Sequence, residues 1–276
     1  MGIIMKKTIS ITLVLFILFA LIGCSATQTI GGVVTCDFSN KGITDDQLKE
    51  MITSGKIPEN VGALYLTGNQ ISDLTPLQSL KSLQTLWIGD KVSDLAPLKS
   101  LTNIKVLGVT GTQISDLTPL HSLINLQLLS LGNNQISDLT PLNSLTNLEK
   151  LILNNAQISD LTPLASLTNL NFLWLDNNQI SDVTALKYLT NLATLFLDEN
   201  QISDVTPLTS LTSLTELGLW GNQISDVTPL ASLTHLTTLG LYSNPLTDEQ
   251  IAALQQSLPN CKIVLTKPST SNTEYS

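Results

Sequence analysis

Apolar residues recur along this chain with a period of 22 residues. Each unit has the form Leu-x-x-Leu-x-Leu-x-x-Asn-x-Ile-Ser-Asp-x-Thr-Pro-Leu-x-x-Leu-Thr, and the only shorter step, of 21 residues, separates Leu86 from Leu107. Apolar and polar residues alternate in the first part of the unit, which predicts a short strand, and Ser, Asp, Thr and Pro in the second part predict a turn. The second leucine of the unit recurs at Leu64, Leu86, Leu107, Leu129, Leu151, Leu173, Leu195, Leu217 and Leu239.

This repeat predicts the fold class. A unit of 22 residues with one strand cannot bury its own apolar face, so the units must stack as coils around a shared core. We therefore predict an α/β solenoid of the leucine-rich repeat type, right-handed and curved, with about nine full repeats and two degenerate capping coils. Its strands would form a parallel sheet on the concave side, and short 3-10 or helical turns would line the convex side.

Both ends of the repeat array carry degenerate coils with helix signals. Val33-x-x-Cys36-x-Phe38 fits the leucine positions at one end, and Cys261, 22 residues after Leu239, fits them at the other. Capping boxes at Thr44 and Thr247 predict a helix in each cap. We assign residues 33–63 and 246–265 to the caps, 64–245 to the repeats and 266–276 to a flexible tail. The two cysteines would lie roughly 48 Å apart at ~4.8 Å per strand, too far for a disulfide, so each is read as a buried apolar residue.

The outer part of each coil carries one aspartate, from Asp73 to Asp248 at nine positions. A row of carboxylates is compatible with calcium binding, but Asp beside Thr and Pro is also the sequence that caps a short helical turn. We favour capping, because coils stacked ~4.8 Å apart need the same turn at every step. The asparagine that precedes Gln-Ile in most units, as at Asn178, is expected to satisfy backbone groups between coils.

The N-terminus has the pattern of an export signal. Lys6 and Lys7 precede an apolar run that is too short to span a bilayer comfortably, and Leu-Ile-Gly leads directly into Cys24. We interpret residues 1–23 as a lipoprotein-type signal peptide, Cys24 as the lipidated residue and 24–32 as a linker. The alternative is an ordinary secretory signal. The prediction is a secreted protein, lipid-anchored at the bacterial cell surface.

Aromatic residues concentrate on the strand positions that point away from the core. Side chains alternate along a strand, so the residues that flank the core leucines face the open side of the sheet. One apolar patch would extend across four coils and consist of Ile152, Phe172, Trp174, Phe196 and Trp220. Its rim on one side would be acidic, with Asp176, Asp198, Glu199 and Glu216, and Lys150 would be the one base nearby. The alternative is that these aromatics only cover one another as cross-strand pairs. The predicted partner-binding residues are Tyr65, Trp87, Lys150, Ile152, Phe172, Trp174, Asp176, Phe196, Asp198, Glu199, Glu216, Trp220 and Tyr242.

The repeat Asn-Gln-Ile-Ser-Asp-Leu-Thr-Pro-Leu, together with Leu-Thr-Asn-Leu, resembles the 22-residue repeats of the internalin family of bacterial surface proteins. The resemblance extends from about Ile43 to Leu246. It implies a curved right-handed solenoid whose concave sheet binds a protein.

Composition excludes several classes of function. All 13 basic residues are lysine and the formal net charge is −9, which argues against nucleic acid. His121 and His235 lie five coils apart and no nucleophile elbow or phosphate loop occurs, so we expect neither an enzyme nor a metal or cofactor. The sequence predicts a monomeric protein-binding scaffold. The alternative is a carbohydrate or cell-envelope binder that uses Trp87, Trp174 and Trp220 as stacking platforms.

Overall fold

A computed structural model of the chain describes residues 28–30, 32–89 and 91–266. The described strands form one sheet in which each strand pairs with the next along the chain. All neighbouring pairs are parallel except the first, which is antiparallel. The strands are β1 (Gln28–Ile30), β2 (Val33–Asp37), β3 (Val61–Tyr65), β4 (Thr85–Gly89), β5 (Val106–Thr110), β6 (Leu128–Ser130), β7 (Lys150–Ile152), β8 (Phe172–Trp174), β9 (Thr194–Phe196), β10 (Glu216–Gly218), β11 (Thr238–Gly240) and β12 (Lys262–Val264).

Between β3 and β11, a short 3-10 turn returns the chain from each strand to the next, and the predicted solenoid is confirmed. Proline sits in the first positions of most of these turns, where its fixed φ and missing N–H are tolerated. The turns are Thr75–Ser79, Ala96–Ser100, Thr118–Ser122, Thr140–Leu142, Thr162–Ser166, Thr184–Tyr188, Thr206–Ser210 and Thr228–Ser232.

The core is a stack of leucines in register. Leu129, Leu151 and Leu173 lie opposite one another on β6, β7 and β8, and each is fully buried. The 21-residue step keeps the register as well, because Leu86 pairs with Leu107 and the missing residue falls in the turn after β4. The repeat therefore places the same apolar contact between every pair of coils.

Both predicted caps contain a helix. Helix α1 (Asp45–Thr53) and helix α2 (Asp248–Ser257) each begin at a complete capping box, at Thr44 and Thr247. The side chain of the threonine accepts a hydrogen bond from the third helical residue, whose own side chain accepts one from the threonine N–H. In the described ranges, neither helix has the length and apolarity that a bilayer crossing requires.

Two details at the ends of the sheet differ from the sequence prediction. Ile263, not Cys261, pairs with Leu239, so the last coil is two residues longer than a repeat. An α-helix rises less per residue than a 3-10 turn and α2 is longer than the turns, so this coil uses more residues to return to the sheet. Cys261 stays on the core side because a shift of two preserves the strand alternation, and it is buried. Residues 28–30, expected in a linker, pair with β2.

The cysteines at the two ends of the solenoid behave as apolar residues. Cys36 pairs with Leu64 in the position of a core leucine and is buried. It lies on β2 and Cys261 lies just before β12, so ten strand steps separate them and they are not joined to one another. Cys24, the predicted lipidation site, and the predicted signal peptide lie outside the described residues.

Candidate functional site on the concave face

The open face of the sheet carries the side chains that the strand alternation points away from the core. Trp174 lies between the buried Leu173 and Leu175 and is half-buried, and Phe196 has the same arrangement one strand further on. The aromatic residues predicted for this face are all half-buried there. By contrast Tyr188, at the end of a convex turn, is 53% exposed.

Four residues on β7, β8 and β9 form an aromatic cluster, which we define as Ile152, Phe172, Trp174 and Phe196. Ile152, Trp174 and Phe196 lie opposite one another on successive strands. The Phe196 ring meets both Phe172 and Trp174 edge-to-face, with 6.0 Å between ring centroids in each pair. This geometry is favourable beyond the area that it buries, so the cluster is a fixed surface feature. Lys150 lies opposite Phe172 at its border.

Two carboxylates beside the cluster are bound to the backbone of the following coil. The Asp176 carboxylate accepts hydrogen bonds from the Asp198 N–H at 2.8 Å and from the indole N–H of Trp174. The Asp198 carboxylate accepts one from the Trp220 N–H at 2.9 Å. Of the acids predicted for the rim of the patch, Asp198 and Glu216 are each only 8% exposed. Glu199, by contrast, is exposed.

Burial changes the protonation of this pair. Desolvation raises the pKa of Asp176 to about 7, although its hydrogen bonds to Trp174 and Asp198 act in the opposite direction. Desolvation raises the pKa of Asp198 to about 8, and repulsion from the Asp176 carboxylate adds to this rise. Both acids are therefore close to their protonation midpoints near neutral pH, so a nearby charge can shift their ionisation.

A recess opens next to the cluster, where β10 and β11 carry glycine at the position that holds Ile152, Trp174 and Phe196 on β7 to β9. Gly218 and Gly240 form its floor. Its volume is about 50 Å³. Trp220 and Tyr242 lie on one side as a tilted ring pair 6.5 Å apart. The residues that line it are Phe196, Asp198, Glu216, Leu217, Gly218, Trp220, Thr238, Gly240, Tyr242, Val264 and Thr266.

The structure does not bring all of the predicted site residues together. Trp87 on β4 lies opposite Tyr65 on β3. Its ring covers Gly108 so closely that a Cβ on this glycine would be 2.0 Å from the nearest ring carbon. These two aromatics are three to four strands from Ile152 on β7, so the structure does not bring them to the cluster. Trp220 is also set apart from the cluster, because Gly218 and the Asp198 carboxylate lie between it and Phe196.

A second depression follows the N-terminal ends of the strands. It is a polar groove of about 590 Å³, and sequence reasoning did not find it. Most of its asparagines are structural. The side-chain N–H of Asn147 donates to the backbone oxygen of Ile124 in the preceding coil, and Asn125 and Asn169 make the equivalent bond one coil before and after. The groove is lined by Lys105, Asn125, Gln127, Asn147, Glu149, Asn169, Asn171 and Asn191.

The convex aspartates cap the turns, as predicted. The Asp160 carboxylate accepts the Thr162 N–H at 2.8 Å, and the same bond recurs coil after coil. Hydrogen bonds from the hydroxyl and the N–H of the threonine hold the pKa of these carboxyls below the usual value at Asp116, Asp138, Asp160, Asp182, Asp204 and Asp226. Among the described residues, no three His, Cys, Asp or Glu side chains are grouped so that they could hold a metal ion.

Comparisons with known proteins identify the same kind of repeat. The family model of leucine-rich repeats, in its two-copy form, matches residues 63–100, 102–144, 146–188, 168–210, 190–232 and 212–256. Internalin C2 from Listeria monocytogenes is 40% identical over 67% of this chain and 80% of its own, with a TM-score of 0.61.

Two further solved structures from the same bacterium are similar. An internalin, InlF, is 28% identical over 86% of this chain and 88% of its own, with a TM-score of 0.59. The functional domain of InlJ is 21% identical over 84% of this chain and 52% of its own, with a TM-score of 0.69, and shares the fold. Among curated proteins, no sequence matches the chain.

Proposed function

Because this chain belongs to the leucine-rich repeat family and its repeats resemble those of the internalins, we propose that it is a non-enzymatic scaffold that binds a protein partner through its concave face. The contact would centre on the aromatic cluster, with the neighbouring recess beside it. Tyr65 and Trp87 would extend the same face toward the N-terminal cap.

The observation that carries this proposal is the aromatic cluster on the open face of the sheet. The core is already complete, because leucines fill it from coil to coil without any of these aromatics. Half-buried aromatic rings in fixed mutual contact are the residues that most often dominate binding at protein interfaces. A flat apolar centre bordered by charged groups such as Lys150 and Glu199 also has the composition of an interface.

The location of the protein follows from the same proposal. Secretion and lipid anchoring through Cys24 would present the solenoid at the bacterial surface, as the resemblance to internalins implies. A diacyl anchor supplies two acyl chains, which is enough for stable membrane association. Cys24→Ser should therefore move the protein from the membrane fraction to the soluble fraction, and labelled palmitate should enter only the wild type. An unchanged membrane fraction without palmitate labelling would contradict the anchor.

The decisive experiment on binding is a matched pair of aromatic truncations. A partner is first captured by crosslinking on intact cells and identified, and its affinity is then measured by calorimetry. Trp174→Ala should weaken binding by ~2–4 kcal/mol, the usual loss for a central aromatic anchor. Tyr188→Ala removes an aromatic from the convex side and should leave affinity unchanged.

Thermal melts of both variants distinguish a binding role from a packing role. Trp174 contacts Phe196 and the Asp176 carboxylate, so its removal should lower the melting temperature only modestly. Normal affinity with a strongly lowered melting temperature would show that Trp174 is a packing residue. Titration of the tryptophan fluorescence with envelope polysaccharide tests the carbohydrate alternative, and saturable quenching that Trp174→Ala abolishes would favour it.

A further inference from the structure

Along the polar groove, the residue that stands just before each strand changes in size halfway through the solenoid. Before β5 to β8 this residue is a larger polar one, whereas before β9, β10 and β11 it is Ala193, Thr215 and Thr237. The larger residues line the groove together with a row of asparagines, and the smaller ones do not. The larger residues are Lys105, Gln127, Glu149 and Asn171, and the asparagine row is Asn125, Asn147, Asn169 and Asn191.

The two sets of residues before the strands differ in how their polar groups are used. The hydroxyl of Thr215 donates to the Ala193 backbone oxygen at 3.0 Å, and that of Thr237 donates to the Thr215 backbone oxygen at 2.8 Å. In the part of the chain that the structure describes, by contrast, the side chains of Gln127 and Asn171 have no hydrogen-bond partner. The solenoid therefore uses the polar groups of its C-terminal half and leaves those of the groove accessible to another molecule.

The asparagine row is held in place by the backbone. The side-chain N–H of Asn125 donates to the Thr102 backbone oxygen at 2.9 Å, and the other three asparagines make the equivalent bond to their preceding coils. This bond fixes the amide group of each side chain. No described residue donates a hydrogen bond to the side-chain oxygens of these four asparagines, so the oxygens form a row of acceptors ~4.8 Å apart.

The groove suits a neutral ligand that is rich in hydroxyl groups. An amide offers an acceptor and N–H donors, and a hydroxyl offers a donor and lone pairs, so each amide of the groove can bond a hydroxyl. Lys105 and Glu149 contribute one charge of each sign, two strands and ~10 Å apart, so the groove has no net charge to attract a phosphate polymer or a charged peptide. Its described lining includes no apolar side chain, which argues against a lipid or an apolar helix.

The spacing of the coils distinguishes a glycan from a peptide. In an extended peptide, groups of the same orientation recur every ~6.6 Å, which is out of step with coils ~4.8 Å apart. In an extended glycan, one six-membered sugar ring with its bridging oxygen advances by about one coil spacing, so each ring meets an equivalent pair of side chains. From Asn125 to Asn191 there are three coil steps, or roughly 14 Å, which accommodates about four sugar rings.

We propose that the polar groove binds a segment of an extended, neutral glycan. The rings would follow the axis of the solenoid, with hydroxyls on the asparagine row on one side and on Gln127 and Asn171 on the other. This is a second binding surface at the N-terminal ends of the strands. It goes beyond the proposed function, because it uses neither the aromatic cluster nor the tryptophans of the concave face.

The test is a nuclear magnetic resonance titration of the whole chain with cellotetraose, a glucose tetramer with an extended chain. It follows the side-chain N–H signals of the asparagine row, Gln127 and Asn171. We expect saturable shifts with a dissociation constant in about the millimolar range, as for a ligand held by a few exposed hydrogen bonds. Isomaltotetraose has the same rings in a flexible chain that does not keep the spacing, and it should bind at least about fivefold more weakly. Blocked tetraglycine represents the peptide alternative and should not bind.

Two variants examine the groove and one serves as a control. Gln127→Ala and Asn171→Ala each remove an amide that has no described partner in the protein, so the melting temperature should stay unchanged. Each should weaken cellotetraose binding by about three- to tenfold, which corresponds to the loss of one neutral hydrogen bond. Gln179→Ala removes a glutamine that is also exposed but lies outside the groove, and it should leave the affinity unchanged.

The outcomes separate this inference from the proposed function. Shifts confined to the groove, with the selectivity and the losses above, would support it even if Trp174→Ala leaves partner binding intact. Equal binding of the two tetrasaccharides, binding of tetraglycine, or undiminished affinity of both groove variants would overturn it, as would the absence of shifts at the solubility limit of cellotetraose. A shift of the Trp174 indole signal without shifts in the groove would place the sugar on the concave face and would also overturn it.

Discussion

At the scale of single residues, the strand alternation decides what each side chain contributes. Leu151 is fully buried between Leu129 and Leu173, while Lys150 beside it lies on the open face. Leu151→Asp would place a carboxylate between stacked coils with no partner, which should cost several kcal/mol of unfolding free energy. Lys150→Asp should change stability by less than about 0.5 kcal/mol. Denaturant titration of the two variants, followed by circular dichroism, measures both values.

The same comparison can disprove the assignment of the faces. Equal losses of stability for the two variants would mean that Lys150 also packs in the core. The prediction depends on the one-residue offset between the two sites, since a strand that slipped by one residue would exchange their environments.

At the scale of the single coil, a buried asparagine joins each turn to its neighbours. The side-chain N–H groups of Asn178 donate to the backbone oxygens of Leu153 and Leu175, and its side-chain oxygen accepts the Ile158 N–H. Asn200 and Asn222 repeat this pattern one and two coils later. In these coils the asparagine therefore holds three backbone groups.

Not every coil has this asparagine, and one of those without it has Ala156 instead. Ala156→Asn should restore the pattern, with bonds to the backbone of the preceding coil, and raise the free energy of unfolding by about 1 kcal/mol. Asn178→Ala should lower it by about 2–4 kcal/mol, because several buried backbone groups lose their partner. Calorimetric melts measure both changes, with the exposed Gln157→Asn as a control. A destabilising Ala156→Asn would show that this coil has closed around the smaller residue.

At the scale of the whole molecule, the two faces of the solenoid give opposite pH dependences. Convex aspartates such as Asp160 have a lowered pKa in the folded state, so the stability that they contribute is present above the ordinary aspartate pKa and is lost on acidification. Asp176 and Asp198 have a raised pKa in the folded state. Their contribution is complete below the unfolded pKa and is lost as the pH rises through about 7 and 8.

The melting temperature should therefore be highest near about pH 4 to 5, should fall on acidification, and should also fall as the pH rises through about 7 and 8. Asp198→Asn keeps the acceptor for the Trp220 N–H and cannot ionise, so it should raise the melting temperature at pH 9 by roughly 2–4 °C and leave the acid side unchanged. Asp226→Asn on the convex side should not alter the alkaline side. A uniform decrease for Asp198→Asn at every pH would show that its charge is not what limits stability.

The sequence by itself determined the repeat, the core and the caps. The spacing of the leucines fixes which residues must be buried in every coil, and the capping boxes at Thr44 and Thr247 fix where the helices begin. Both patterns can be read from the sequence because they depend only on contacts within one unit or between identical neighbouring units. It also placed the aromatics on the open face, since alternation along a strand needs no tertiary information.

Only the tertiary structure decided how much of the open face is covered. Whether Asp198 is an exposed charge or a buried acceptor depends on the Trp220 N–H, 22 residues later, and on the absence of a side chain at Gly218. The recess over Gly218 and Gly240 likewise arises from two glycines that are neighbours only in the sheet, between walls from four different strands. A pattern read along the chain gives the direction of each side chain. The exposure of a side chain depends on the sizes of the residues one and two coils away, and these residues become its neighbours only when the coils pack together.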